Sequence, residues 1–510
     1  MKDKLTVGVH TYCHDGNISV YDHDTNTLKY LKFERITGYK GQAHDDLSTW
    51  VKYLNHLGYD IGDITNLAIV DAGGIYGVEF PYKYLTPIFV DHHLCHHHSI
   101  MGTSNYNSLI VDSVGSSFDC VTIYKKNQPK LKLNAYQHSC LGRDLDKLWM
   151  QWFTTKKDDD LYVERYNEFR ENLDFAGHTM ALHAFGKDYS HLLDMPTYKR
   201  YKNKKNKLVH VPNTFENLSN FKKKINSKDE SFISNSFVTS LHYYWYKKLR
   251  RHLSNNFNKH DKIGVSGGVG HNIILNTMLK EDFPNYTPTP HCGDEGLSIG
   301  AVIFLLGGEF YKRFRLKQSI VDIKQHDENF GYAKHSTIKK VAKYLDEGKI
   351  VMWGQGWGEL GPRALGYRSI LFDPTVPNAK EILNDKIKKR IWFRPYGASV
   401  PVDDYENYFD LKYESPWMLY QAKVKDPWKY ATITHADGTC RIQTVDNKNP
   451  TFLNLLKEFK QITGSSVLIN TSMNLPGKPI VGTKKQAKIM FDKSEADVLV
   501  MGDEIHTKLL

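Results

Sequence analysis

The chain has 510 residues, more than one ordinary hydrophobic core accommodates, so two or more domains are expected. With 40% hydrophobic and 25% charged residues, its composition is typical of a soluble globular protein. The formal net charge of +11 favours polyanionic or phosphorylated ligands. No charged-then-apolar signal pattern opens the sequence, and the longest apolar stretch, Leu297 to Leu306, is too short to span a bilayer and reads as a buried helix. Six cysteines lie far apart without a CxxC pair, which argues against a disulfide framework or zinc knuckle and for a reducing cytoplasm.

In chain order, Leu5 to His10, Asn17 to Asp22 and Leu28 to Phe33 read as three short antiparallel strands separated by turn residues. An amphipathic helix is predicted near Asp45 to Leu57, followed by a strand at Asn66 to Val70. A second cycle of strands begins at Ser108 to Asp112 and continues at Cys120 to Lys125. Repetition of such a unit is the pattern of a duplicated, actin-like fold. Between Tyr198 and Lys228 the sequence turns basic, with aromatics among the lysines. A long helix from Phe232 to Leu253 and a strand from Lys262 to Ser266 follow. Residues Gly307 to Asn329 lack periodicity and read as a linker. Beyond His335 come a helix (IKKVAKYLDEG), a strand (IVMWG), a helix (KEILNDKIKK) and a late strand, Ser465 to Asn470, a mixture of α+β or α/β type.

Three constellations carry chemistry. VDHHLCHHHSI, Val90 to Ile100, holds five histidines within seven positions, and His92 and His96 are one helical turn apart, where two imidazoles can ligate one metal ion. Asp112 and Asp294 are the remote carboxylates that could complete the site; each alone reads equally as a capping residue, and Asp91 as the helix N-cap. The second, SGGVGHN (Ser266 to Asn272), places glycines between a strand and a helix, where backbone N–H groups can approach phosphate; the alternative is a tight turn. The third is ELGPRALGYRSILFDP, Glu359 to Pro374, with Arg363 and Arg368 in a Gly/Pro-shaped loop, followed by DKIKKRIWFRPYGASVP and Arg441. Guanidinium forks suit a doubly charged phosphate, whereas surface arginines in solvated loops are the plain alternative.

The blocks GPRALGYRSILFDP, FRPYGASV, ITHADGTCRIQTV and GSSVLINTSMNLPGKPIV, and more loosely HDGNISV, FERITGYK, DHHLCH, AGHTMALHAFG and SGGVGHN, resemble the nodulation-factor and antibiotic O-carbamoyltransferase family, which includes the tobramycin and cephamycin enzymes. The resemblance covers nearly the whole chain. It implies an α/β fold: an actin-like (ASKHA) N-terminal domain with duplicated subdomains, over residues 1–306, and a YrdC-like α+β domain over residues 335–510, joined by a linker at 307–334. It further implies that carbamoyl phosphate is cleaved to carbamate in the YrdC-like domain. The carbamate is adenylated by ATP in the N-terminal domain, and the carbamoyl adenylate is attacked by an acceptor hydroxyl. Splitting the transfer replaces one hard step with easier ones.

Carried over residue by residue, the resemblance makes His92, His96, Asp112 and Asp294 ligands of a divalent metal, iron. Gly267, Gly268 and Asn272 become the nucleotide loop. Arg363, Lys388, Arg394, Arg441, Asn470 and Ser472 become carbamoyl-phosphate contacts, with His14 an active-site histidine and Lys40 a phosphate-contacting lysine. Departures from the family pattern are Ser116 at a usual Glu, His178 at a usual Lys and Cys95 at a common Ala. Cys95 and Cys13 could act as soft ligands, but a small residue filling an Ala-sized space is the better reading of Cys95. The implied partners are carbamoyl phosphate and a hydroxyl acceptor, with a homodimer and no membrane. The chain is rich in Lys, Asn and Tyr, as in AT-rich phage genomes. This points to a hydroxymethylated pyrimidine, in nucleotides or DNA, modified in the host cytoplasm if the protein is phage-encoded. Alternatives are carbamoylation of a sugar-containing natural product, a tRNA-type threonylcarbamoyl-like transferase, and a non-catalytic nucleotide sensor.

Overall fold

A computed structural model describes residues 3–44, 46–71, 80–100, 107–113, 119–134, 140–145, 148, 175–193, 198–202, 208–212, 214–307, 323–325 and 327–508. The chain divides into two compact units: residues 1–26 with 43–318, and residues 27–42 with 319–510.

The first unit contains two mixed sheets with one repeated pattern. In the first sheet, Leu5–His10 pairs antiparallel with Asn17–Asp22 and parallel with Ile64–Asp71, which pairs parallel with Ile88–Asp91. In the second, Ser108–Val111 pairs antiparallel with Asp119–Lys125 and parallel with Ile263–Ser266, which pairs parallel with Tyr286–Pro288. Gln128–Asn134 extends the second sheet as a hairpin from Asp119–Lys125. The duplicated α/β organisation expected from the sequence is therefore present.

Helix Leu297–Leu306 is apolar and buried along most of its length, as its composition requires. Two glycines permit its close approach to its neighbours. A Cβ on Gly8 would lie 2.3 Å from Ser298 O, and one on Gly300 would lie 1.9 Å from Cys95 O. Cys95 is buried in this contact with Ala68, Val70, Val90, Leu297 and Ala301, the packing role read for it. The predicted helix over 45–57 is shorter, Val51–His56. The Asp46 carboxylate takes the N–H groups of Ser48 and Thr49, closing a turn that competes with a helical start.

The second unit is built on a nine-stranded mixed sheet, in the order Phe409–Asp410, Tyr420–Val424, Thr439–Val445, Gly397–Pro401, Leu468–Ser472, Arg368–Phe372, Val351–Gly354, Val498–Met501, Glu504–Thr507. Helices His335–Asp346 and Pro450–Thr463 share one core with Val351, Trp353 and Leu468. This is the α+β organisation expected of the C-terminal domain. Within the span read as a linker, Ile323–Gln325 is a strand parallel to Thr27–Lys32; three residues are too few for an alternating pattern to show. The predicted helix KEILNDKIKK is regular only over Ala379–Leu383, and Asn384–Lys388 widens into a π turn. Among the described residues no helix is long and apolar enough to cross a membrane.

Candidate active sites

In the first unit, helix His92–Ser99 starts at Asp91, whose side chain accepts from Leu94 N at 2.9 Å. The helix sorts its five histidines by face. His93 bonds Thr122 Oγ1 at 2.7 Å, and burial drives its imidazole down to about 3. His97 bonds Ser108 Oγ and Asn127 Oδ1 and stacks on Tyr124 at 4.2 Å, while His98 lies edge-on to Phe304. Those three are packing residues. His92 and His96 meet Asp112 and Asp294, and one ligand-type atom from each of the four lies within 4.8 Å of the others.

The four are buried and held from behind. Asp112 Oδ2 lies 2.9 Å from His92 Nε2, while its Oδ1 accepts from Ser113 N at 2.7 Å and Gly268 N at 3.2 Å. Asp294 sits just before helix Leu297–Leu306 but caps nothing with its side chain. Its carboxylate faces His92 (3.4 Å), His10 (3.6 Å), His14 (3.7 Å) and His96 (3.7 Å). Burial alone would push both carboxyls up, yet the imidazoles around them hold both well below the usual carboxylate range.

His96 tests whether a cation fits. Ser266 Oγ has one hydrogen, and it faces Cys292 O at 3.2 Å; Ser266 therefore accepts from His96 Nδ1–H at 3.0 Å. In the neutral ring, Nε2 is then a bare lone pair, buried without a hydrogen bond, 3.5 Å from Asp112 Oδ2 and 3.7 Å from Asp294 Oδ1. A proton on that nitrogen, which the two carboxylates favour, or a cation between them satisfies this arrangement. Two carboxylates and two imidazoles are donor types that a divalent first-row metal accepts.

Around this cluster, His14 is partly exposed and bonds Asp15 at 2.9 Å. Burial opposes its charge, but Asp294 and Asp15 raise it to about 9. It is flanked by Cys13 (φ 67°) and Asp15 (φ 55°), left-handed conformations unusual for side-chain-bearing residues. Cys13 is partly buried two residues from Asp15, and neither it nor Cys95 belongs to the four-residue cluster. Gly267 (φ 94°) follows strand Ile263–Ser266 with its backbone against Val111; a Cβ there would lie 2.3 Å from Val111 O. Asn272 is the N-cap of helix Ile273–Asp282, accepting from Ile274 and Leu275, and its amide donates to His242 Nε2 at 3.0 Å. His178 lies in helix Phe175–Ala181, and Ser116 falls outside the described residues.

In the second unit, sheet register gathers one end of four strands. Gly397 pairs with Asn470, Ser369 with Ser472, and Ala398 with Ile442, one residue beyond Arg441. Arg394 lies in the segment entering Gly397–Pro401. Lys388, at the end of the π turn, donates to Ser472 O, Asn474 O and Asn474 Oδ1, each at 2.9 Å. Arg363 is partly buried in a loop between Gly361 (φ 98°) and Gly366 (φ 97°). That loop is pinned by Glu359, whose Oε1 accepts from Leu365 N (2.8 Å), Arg368 N (2.9 Å) and Tyr367 N (3.0 Å). Arg368 is not a ligand residue: it is fully buried, donates to the carbonyls of Gln355, Tyr367, Glu328 and Gly356, and stacks over Phe330 at 3.6 Å.

Lys40 follows helix Glu34–Thr37 in the 27–42 segment of the second unit, whereas His14 belongs to the first unit. His10, Asn17, Ser266, Glu359, Ser399 and Gln443 are contributors that spacing along the chain did not reveal. Asn17 illustrates why: its amide donates to Asp294 O at 2.9 Å and accepts from Ser298 N, contacts made 277 and 281 residues away.

Comparison with known proteins places these sites in context. Residues 62–303 match the family described as Carbamoyltransferase N-terminus, and residues 342–508 match Carbamoyltransferase C-terminus. A protein of Methanocaldococcus jannaschii is 31% identical over 366 residues, 66% of this chain and 60% of that protein. Nodulation protein NolNO of Sinorhizobium fredii is 32% identical, covering 48% of this chain and 40% of its own length. The 3'-hydroxymethylcephem-O-carbamoyltransferase of Amycolatopsis lactamdurans is 30% identical, covering 47% of each. The chain thus spans 40 to 60% of the length of these curated relatives. Among solved structures, an activator of 2-hydroxyisocaproyl-CoA dehydratase from Clostridium difficile aligns with a TM-score of 0.34 at 10% identity, over 59% of this chain and 93% of that one, too distant to bear on function. With both family regions matched in order along its length, the chain belongs to the carbamoyltransferase family.

Proposed function

We propose that the chain is an O-carbamoyltransferase that uses carbamoyl phosphate and ATP. The carrying observation is the pair of chemically opposite sites: a buried His/Asp cluster beside a glycine loop, and a sheet end lined by arginine, lysine and amide groups. We assign carbamoyl-phosphate cleavage to residues 335–510 and activation and transfer to residues 1–306.

At the sheet end, Arg363, Arg394 and Arg441 neutralise the phosphate and hold it for attack by water at the carbamoyl carbon, releasing phosphate and carbamate. Lys388 holds the Ser472–Asn474 turn in place. In the first unit, carbamate attacks the α-phosphorus of ATP, releasing pyrophosphate. The acceptor hydroxyl then adds to the carbamoyl carbon, AMP departs, and the hydroxyl proton is released to solvent; His14, whose charged form Asp294 and Asp15 favour, offsets negative charge on the departing phosphate. The Gly267–Gly268 backbone approaches the phosphates, and Lys40 is separately assigned a phosphate contact. A divalent metal held by His92, His96, Asp112 and Asp294 would offset phosphate charge; iron is the ion proposed. Cytoplasmic location and a homodimer accompany this reading.

For the acceptor we propose a hydroxymethylated pyrimidine, as nucleotide or in DNA. The support is the basic Tyr198–Lys228 sequence, which forms a hairpin of Tyr198–Lys202 with Leu208–Pro212; Lys204 and Lys205 lie outside the described residues. Mass spectrometry after incubation with carbamoyl phosphate and ATP tests both levels. Hydroxymethylcytosine DNA, the free nucleotide and an aminoglycoside are compared side by side. Carbamoylation of the aminoglycoside alone discards the nucleobase acceptor; carbamoyl transfer without AMP release discards the adenylate route.

A further inference from the structure

One helical turn of the glycine loop, Gly268–His271, is tied at both ends to the carboxylate-bearing segments of the His/Asp cluster. At its start, Gly268 N donates to Asp112 Oδ1 at 3.2 Å. At its end, His271 Nε2 lies 3.2 Å from Glu295 Oε1. A carboxylate only accepts, so Nε2 carries the hydrogen and donates it. Glu295 directly follows Asp294 in the turn Asp294–Gly296, and the two side chains part: Asp294 faces the imidazoles of the cluster, Glu295 the glycine loop. Glu295 is buried and held in place. Its Oε1 also accepts from Gly293 N at 3.3 Å, and a Cβ on Gly293 would lie 2.5 Å from its Oε2. Between the two ends the backbones are closed up as well. Gly267 N donates to Cys292 O at 2.8 Å, and a Cβ on Gly270 would lie 2.9 Å from Cys292 Sγ.

We infer that the His271–Glu295 pair couples the two halves of the first-unit site, so that a cation on the cluster and a nucleotide on the glycine loop each strengthen binding of the other. His271 and Glu295 are positioning residues; neither is assigned a contact with either ligand. The inference rests on the metal and nucleotide readings of this site. The sign of the coupling follows from ordering. Whatever fixes Asp294 also fixes Glu295 and, through His271, the far end of the glycine loop. A nucleotide arriving second therefore has less backbone left to order and gives up less of its binding energy to that task. By linkage, the nucleotide strengthens cation binding by the same factor.

Calorimetry on the full chain tests this, with Mn2+ and α,β-methylene-ATP as probes and their complex in solution accounted for. The wild-type protein is expected to bind the nucleotide about tenfold or more tightly with Mn2+ present, and Mn2+ more tightly by the same factor with nucleotide present. In His271→Ala only the Gly268 tie remains, and the factor falls about threefold or more, while Mn2+ affinity without nucleotide stays near wild type. His271→Gln, whose amide N–H can still donate to Glu295, restores the factor. A pair that only stabilises the fold would lower the unfolding midpoint of His271→Ala and leave the factor unchanged, which overturns the inference. A factor as low in His271→Gln as in His271→Ala overturns it too. So does the absence of any mutual effect in the wild-type protein, a comparison needing no variant; the metal and nucleotide readings then still stand. Failure of the wild-type protein to bind either probe removes those readings and the inference with them.

Discussion

The His/Asp cluster of the first unit and the arginine-lined sheet end of the second solve opposite problems. In the cluster, four ionisable groups are buried together, and the hydrogen bond from His96 Nδ1 to Ser266 Oγ turns its Nε2 toward the carboxylates. The two carboxylates there call for positive charge, from imidazolium protons or from a bound cation. At the sheet end the charge is supplied by the protein, and most of the buried polar atoms around it are already paired with one another. The first site gathers groups of a kind that hold a cation, whereas the second already pairs many of its polar groups within the protein. Substitutions should accordingly act on occupancy in the first and on carbamoyl-phosphate use or stability in the second.

The largest effect is expected where ligands of the cluster are removed. His92→Ala combined with Asp294→Ala should reduce the metal content of purified protein to background, since even outer partners of metal ligands typically change affinity by roughly 10–100-fold. Elemental analysis reads this directly, and metal content equal to wild type would erase the contrast between the sites.

Arg368→Leu should come next, acting on stability and not on ligand binding. It removes donors from four carbonyls in a fully buried position. Each orphaned acceptor costs about 1–3 kcal/mol before relaxation, so a loss on the order of 3 kcal/mol is expected in denaturant titration. Arg363, five residues earlier in the same motif, should behave differently. Arg363→Ala is expected to leave the unfolding midpoint near wild type while weakening carbamoyl-phosphate use by on the order of 1.5–3 kcal/mol, with KM for ATP unchanged. Near-normal turnover with carbamoyl phosphate would remove Arg363 from the site.

The smallest effect belongs to Ser266→Ala. Losing the acceptor for His96 Nδ1–H should weaken metal affinity about tenfold, without changing the number of ions bound. A competition titration with a chelator separates this from ligand loss; an unchanged affinity would mean that the His96 tautomer is set by other contacts.

Much of this was legible from local pattern. The i,i+4 spacing of His92 and His96 places both rings on one face of any helix. Gly-Gly after a strand marks a tight backbone position, realised as Gly267 at φ 94° packed against Val111, and the apolar composition of Leu297 to Leu306 required a buried helix. These follow from the helical period and from backbone sterics, which act over a few residues. Which histidines of the five face the carboxylates depended on which sheets flank the helix. The capping reading of Asp294 was eliminated by the side chains that converge on it, and Arg363 and Arg368 were separated by burial alone. Ser266, Gln443 and Ser399 lie in blocks that the sequence singled out but received no role of their own, because a neutral side chain carries no spacing signal. Its role arises when folding brings it to an acceptor or donor tens to hundreds of residues away, as Ser266 meets His96 across 170 residues. Residue type and short-range period thus determined the chemistry available to this protein; long-range hydrogen bonds, formed only in the tertiary structure, decided which atoms are free to use it.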